Sequence, residues 1–316
     1  MNKALVILGP TASGKTALAL SLALHEKIEI ISLDSALVYR GMDIGTAKPT
    51  KEELKTVPHH LIDICEPHEN YSAASFREDC IRLVDEICKR GALPVICGGT
   101  MMYYKSLVEG LSPLPKTDET VREYVSKQAL TYGWPYMHEK LRDVDPQSYV
   151  RLDPHDKQRI SRALEIFEMT GKPMSSFFAQ KKDQCPFERL EFVLLPKDDD
   201  RSHLREIIRT RFLKMLDHGL VSEVKHLIAQ HKLTLDNPSM RCVGYRQVFE
   251  YLEGVYSYET MIEKSVIATA QLAKHQMTWL RGGLAKDTGY LKKIRLDIGN
   301  EHNLETVLKV LSENRP

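Results

Sequence analysis

The chain has no apolar run approaching the thickness of a bilayer core, which speaks against a helical membrane protein. Its opening residues, "MNKALVILGP", carry a single charge and stop at Gly-Pro, too short a stretch for a secretory signal. A cytoplasmic protein is expected. No C-x-x-C pair occurs among the six cysteines (65, 80, 88, 97, 185 and 242), and no Cys/His group has zinc-finger spacing. Cys80 and Cys88 fall in a helical pattern and Cys97 in a strand, as core thiols of a reducing compartment do. Neither sign of charge dominates, since 44 Lys and Arg face 43 Asp and Glu for a formal charge of +1. Any surface for nucleic acid must therefore be local. Repeats and low-complexity segments are also lacking. What remains is an ordinary soluble composition, 316 residues with 42% hydrophobic side chains, enough for one large domain or two smaller ones.

Along the first hundred residues, strand and helix patterns alternate. Apolar runs at "KALVIL", "IEIIS" (28–32), "HLIDI" (60–64) and "LPVIC" (93–97) read as strands. A helix runs from Ser72 as N-cap to Gly91, and another follows "GGT" at "MMYYKSLVEG". This alternation predicts an α/β fold, a P-loop NTPase-like parallel sheet flanked by helices, with ligands beyond the carboxyl ends of the strands. The pattern changes at "GLSPLPKTD". Residues 113–189 show helices punctuated by prolines and no strand, which predicts an all-helical insertion domain. "EFVLLP" (191–196) returns to strand. The core is thus expected to comprise 1–112 and 190–316, with helices near 202–218, 221–231, 245–253 and 258–281 and then a charged tail.

The strongest motif is "GPTASGKT", spanning Gly9, Pro10, Thr11, Ala12, Ser13, Gly14, Lys15 and Thr16, between a strand and a helix. Such a loop turns backbone N–H groups and a helix N-terminus toward a phosphate. Lys15 adds a positive charge, and the Thr16 hydroxyl suits the coordination shell of Mg²⁺. Asp34 follows the second strand. It fits a carboxylate ordering metal-bound water, a general base or an exposed loop residue, and Asp63 in "LIDI" rivals it for the metal role. In "SHLREIIRTRFLKML", Arg211 falls on the apolar stripe of Leu204, Ile208 and Met215, whereas Arg201, Arg205 and Arg209 occupy another, solvated face. A charge on a packed face either snorkels outward or serves a site.

Five blocks together resemble a known family: "GPTASGKT", "DSALVYRGMDIGTAKP", "GGTMMYYKSLVEGLSPLP", "QRISRALEI" and "RCVGYRQ" stand in the order seen in the MiaA-type tRNA dimethylallyltransferases of bacteria. The resemblance runs from about residue 3 to residue 281. It implies transfer of a dimethylallyl group from dimethylallyl diphosphate to N6 of the adenosine just 3′ of the anticodon, by a monomer acting on the anticodon stem-loop. The P-loop then clamps a leaving diphosphate, with Mg²⁺ at Thr16. Asp34 becomes the base, Lys15 and Arg211 the diphosphate cations, and Thr100 a holder of the target base. Asp34, Ser35, Ala36, Leu37 and Thr100, together with Arg122, become tRNA contacts. Three further segments join them by the same resemblance. The first is Gln158, Arg159, Ile160, Ser161 and Arg162. The second is Arg241, Cys242, Val243, Gly244, Tyr245 and Arg246. The third, on a long helix, is Lys274, His275, Gln276, Met277, Thr278, Trp279, Leu280 and Arg281. Basic residues interleaved with aromatic and amide groups suit phosphate contacts and stacking on unpaired bases. Many relatives have Gln where Leu37 stands here, so a base contact from that amide is missing, and the zinc finger of eukaryotic relatives is missing too. Rival readings are an adenylate isopentenyltransferase, a P-loop kinase or NTPase, and an RNA-binding protein with a vestigial loop.

Overall fold

"KALVIL" becomes β1 (Lys3–Leu8), an interior strand of a six-stranded sheet. The computed structural model describes residues 2–178, 183–197, 202–283 and 289–314. The other strands are β2 (Ile28–Leu33), β3 (His59–His60), β4 (Leu93–Gly98), β5 (Glu188–Leu195) and β6 (Tyr290–Asp297). They are ordered β3-β2-β4-β1-β5-β6 and all paired neighbours are parallel. Alternate side chains of the strands enter two cores, one on each face. Ala4, Val6 and Leu8 join Ile31 and Leu33 under the helix Ala73–Lys89. Leu5 and Ile7 join Ile28 and Ile30 under the helices Lys15–Leu22 and Asn303–Glu313. The expected P-loop-like α/β core is therefore present.

The chain divides into two compact units, Met1–Val108 with Cys185–Pro316, and Glu109–Gln184. The second is entirely helical among its described residues and has its own core, including Val125, Met137, Leu141, Ile160 and Ile166. β5 starts at Glu188, ahead of the apolar run at 191, because Glu188 and Arg189 pair in register with Lys3 and Ala4.

Two sequence expectations need correction. "HLIDI" leaves the sheet after His60, since Leu61 and Asp63 adopt left-handed backbone at φ 63° and 54°. Its later residues pair instead with the segment after β2, Asp63 N–H donating to Leu37 C=O and Ile64 N–H to Val38 C=O. The charged tail, in turn, contains β6 and the helix Asn303–Glu313. Among the described residues β6 pairs only with β5, so Lys292, Lys293 and Arg295 stand on an edge strand, where charge discourages further pairing.

One ion cluster ties β2, β3 and the end of a helix. Glu29, 8% exposed, accepts from Arg90 Nε and a terminal guanidinium N–H at 2.9 and 2.7 Å and lies 2.7 Å from His60 Nε2. The hydrogen bonds from Arg90, aided by His60, hold the carboxyl at about 2 against an ordinary 4.5. The folded value lies below the unfolded one, so the stabilisation is complete above about pH 4.5 and is lost as pH falls toward about 2. Glu29→Gln should be less stable than wild type at neutral pH, with the gap closing through this window in urea denaturation followed against pH. A gap of constant size would show that the cluster carries no such linkage.

Candidate active site

Leu8 of β1 and Leu33 of β2 both stand level with Gly98 of β4, so three loops leave the sheet at one height. The first is the phosphate loop. Ser13 N–H donates to Pro10 C=O at 3.3 Å, Ala12 and Gly14 take left-handed backbone at φ 64° and 84°, and the helix Lys15–Leu22 begins without a side-chain cap. Its first N–H groups are thus left to the loop, as an anion site requires. Lys15 Nζ curls back to Pro10 C=O at 3.0 Å. Burial lowers the Lys15 pKa and Arg211 adds to this, while Cys97 and Asp34 oppose it.

The second loop presents Asp34. Its Oδ1 accepts the N–H groups of Ala36 at 2.8 Å and Leu37 at 3.3 Å, which orients the carboxylate and leaves Oδ2 without a hydrogen bond among the described residues. Asp63, the rival carboxylate, is paired with Lys48 and does not line the cavity. Lys48 also binds Asp43 and the Tyr39 carbonyl, so this pair closes the loop rather than serving the phosphate. The third loop, Gly98-Gly99-Thr100, is fastened to the second. Leu33 C=O accepts from Gly99 and Thr100 N–H at 3.2 and 3.1 Å, and Thr100 Oγ1 accepts from Ser35 N–H at 3.1 Å.

These loops wall a cavity of about 660 Å³. Lys15, Thr16, Asp34, Thr100 and Arg211 all line it. Arg211 does not snorkel to solvent. Its helix, Ser202–Asp217, buries Leu204, Ile208 and Phe212, and Arg211 sits half-buried on the cavity wall, its pKa lowered by burial and supported by Asp34. Arg205 and Arg209 are exposed as expected, Arg209 pairing with Glu263, while Arg201 lies outside the described residues. Burial raises the thiols of Cys97 to about 11 and Cys242 to about 12, so both cavity cysteines stay protonated.

Of the expected RNA segments, 241–245 and His275, Gln276 and Trp279 reach the cavity. Arg246, Lys274, Thr278 and Arg281 are exposed beyond it, and Arg122, Gln158 and Arg159 are exposed in the helical unit. Ile160, Met277 and Leu280, in contrast, are core side chains, and so is Tyr245 although it borders the cavity. Their apolar spacing belongs to the packed face of each helix, so they are not available for stacking on a base. Arg162 is turned inward to Pro115 C=O, Thr117 and Glu165. Gln276 directs its amide into the protein, accepting from Thr11 N–H at 2.8 Å and donating to Gly99 C=O at 2.8 Å.

Glu223 was missed by sequence reasoning. Its carboxylate accepts the N–H groups of Asp43, Ile44 and Gly45 at 3.1, 2.8 and 3.3 Å, and the Tyr245 hydroxyl at 2.5 Å. It thereby staples the "GMDIGTAKP" loop to the start of the helix Tyr245–Leu252. Gly45 is needed there, since a Cβ would lie 2.5 Å from the Tyr245 ring. An exposed-looking Glu in the first turn of the helix Leu220–His231 carries no pattern that would have marked it.

A phosphate loop and an oriented carboxylate that share one cavity, with space for a second substrate, define a P-loop-fold group-transfer enzyme. Against known proteins, the model of the IPP transferase family matches residues 37–283. The full-length tRNA isopentenylpyrophosphate transferase of Bacillus halodurans is 32% identical over 99% of this chain and 96% of that one, with a TM-score of 0.69. The tRNA delta(2)-isopentenylpyrophosphate transferase of Staphylococcus epidermidis is 31% identical, covers all of both chains and gives 0.69. A eukaryotic dimethylallyltransferase acting on tRNA is 25% identical over all of this chain and 81% of that one, with a TM-score of 0.82. The chain belongs to the IPP transferase family.

Glu223→Ala should free three amides, those of Ile44 and Gly45 part-buried, and one phenol at once. A loss on the order of 2–3 kcal/mol is expected, the range of a hydrogen-bonded charged acceptor. Amide exchange at Asp43, Ile44 and Gly45 should rise in the variant, and unchanged exchange there would remove the staple.

Proposed function

We propose that this enzyme transfers a dimethylallyl group from dimethylallyl diphosphate to N6 of the adenosine immediately 3′ of the anticodon in tRNA, releasing diphosphate. The observation that carries the reading is the placement of Asp34 and Thr100 on the same cavity as Lys15 and Arg211. In addition, the family relationship places the chain among tRNA prenyltransferases. tRNA is the substrate, and in this reading the protein works as a monomer in the cytoplasm. No helix among the described residues is long and apolar enough to cross a membrane.

The chemistry asks for two things. The exocyclic amine is a weak nucleophile, because its lone pair is shared with the purine ring. The allylic carbon compensates by bearing positive charge as its bond to oxygen breaks, and the electron pair leaves with the diphosphate. Loop N–H groups, Lys15 and Arg211 meet that growing negative charge where it forms. As the N6–carbon bond closes, the N6 proton passes to Asp34 Oδ2. The hydrogen bonds to Oδ1 hold the carboxylate in a fixed orientation for this transfer. Thr100, tied to Ser35, keeps the receiving edge in place beside it.

The cavity suits Mg²⁺. Ser32 Oγ is buried, has no hydrogen-bond partner among the described residues and belongs to a residue lining the cavity with Thr16. Hydroxyl and carboxylate oxygens are the donors this ion prefers, and it characteristically takes few protein ligands beside substrate phosphates. Thr16 would hold it, with Ser32 and Asp34 toward its water shell. When bound, the ion neutralises charge on the diphosphate.

Labelled dimethylallyl diphosphate, offered with tRNA, adenosine monophosphate or buffer alone, tests the reading. Label should enter tRNA and an isolated anticodon stem-loop, and barely enter the mononucleotide, which lacks the phosphates that anchor extrusion of the base. Equal labelling of adenosine monophosphate would point to an adenylate enzyme, and brisk ATP hydrolysis to a kinase or NTPase. Asp34→Ala should slow single turnover by roughly 10²–10⁴-fold with tRNA affinity nearly unchanged. Lost affinity with an intact bound-state rate would make Asp34 a binding residue instead. Arg246→Ala, if that side chain meets a phosphate, should flatten the salt dependence of tRNA binding by about one contact.

A further inference from the structure

Gln276 stands on the helix Tyr258–Thr278, whose neighbouring Lys274 and Thr278 are exposed. Its own amide points the other way, and both of its polar atoms are engaged. Oε1 accepts Thr11 N–H and Nε2 donates to Gly99 C=O, both at 2.8 Å. The partners fix which way the amide is turned, because Thr11 N–H can only donate and Gly99 C=O can only accept. The packing leaves no slack. A Cβ on Gly99 would lie 2.6 Å from Gln276 Nε2 and 2.8 Å from Gly9 C=O. Immediately after Thr11, Ala12 is held in left-handed backbone at φ 64°, a conformation that a non-glycine residue keeps only when its surroundings enforce it.

The contacts run further. Gly99 and Thr100 N–H bind Leu33 C=O, and Thr100 Oγ1 binds Ser35 N–H beside Asp34. An unbroken series of hydrogen bonds therefore leads from the phosphate loop through Gln276 to the loop of Asp34. We propose that Gln276 is a positioning residue: it sets the spacing between the diphosphate cradle and the edge that carries Asp34, and it ties that spacing to the helix whose outer face carries Lys274 and Thr278. A residue assigned to an RNA-facing segment thus acts on the donor site. This inference rests on the prenyl-transfer reading above.

Two substitutions in the full-length protein test it. Met at this position cannot donate and accepts only weakly, whereas Glu is an acceptor without a donor when ionised and both accepts and donates when neutral. Single-turnover rates with saturating dimethylallyl diphosphate and anticodon stem-loop are followed from about pH 8 down to about pH 6, across which a half-buried Glu facing the Gly99 carbonyl can gain its proton. Affinities for magnesium diphosphate and for tRNA are titrated separately. Gln276→Met should slow the step by roughly 10–100-fold, the scale of a small misplacement. It should also weaken diphosphate binding and leave tRNA affinity within about threefold. Gln276→Glu should match the Met variant at high pH and recover toward wild type as pH falls. A Glu-to-wild-type rate ratio that is flat with pH overturns the proposal, as does a Met variant that loses tRNA affinity and keeps its rate. The isosteric Glu variant decides the matter even if the Met variant does not fold. The diphosphate titration remains decisive if wild type proves inert toward tRNA, which would instead sink the prenyl-transfer reading.

Discussion

Everything at the site depends on how closely two strand ends approach each other. A Cβ on Gly98 would lie 2.1 Å from Leu33 C=O, so no other residue allows β4 to finish against β2 at this height. With glycine there, the same carbonyl collects the N–H groups of Gly99 and Thr100. The loops of Asp34 and Thr100 are thereby made one rigid edge facing the phosphate loop. A looser junction would leave the carboxylate attached to the sheet but not aimed.

Charge in the cavity follows from this closeness. Lys15 and Arg211 are both pressed toward neutrality by burial and both drawn back by Asp34. A cavity lined by Lys15, Arg211 and Arg241 against the single carboxylate of Asp34 is short of negative charge until a phosphate enters. The basic groups farther out are differently placed. Arg246 pairs with Glu250 and Arg159 with Asp156, so under the proposed reading an RNA phosphate would compete with carboxylates already in contact. Exposed pairs of this kind are weak, which makes exchange of partners inexpensive.

Local motifs made much of this legible. "GPTASGKT" and "CGGT" announce themselves because glycine and a lysine at fixed spacing have few other uses, and the sheet face to which they belong follows from apolar runs. Arg211 stood out as a charge on an apolar stripe. The sequence could not distinguish Asp34 from Asp63, since both follow apolar runs, and only the pairing with Lys48 separates them. Glu223 and the inward turn of Gln276 were invisible for a different reason. Apart from the Tyr245 hydroxyl on Glu223, their partners are backbone groups about 180 or more residues away, and backbone groups leave no signature in sequence. β6 was obscured by its lysines and arginine, which suit an edge strand as well as they suit a tail.

The pairing of β1 with β5 has a consequence for how the protein is made. Lys3–Leu8 must wait for Glu188–Leu195 before its second edge is covered. During synthesis from the N-terminus, the phosphate-loop strand therefore spends the translation of nearly two hundred residues, the entire helical unit included, as an open edge. The helical unit, whose core is built from residues close in sequence, can fold in that interval, while the sheet closes only late and through distant contacts. Nascent chains stalled before residue 188 should thus be the ones most in need of chaperone protection, and substitutions in β5 should lower yield more than activity.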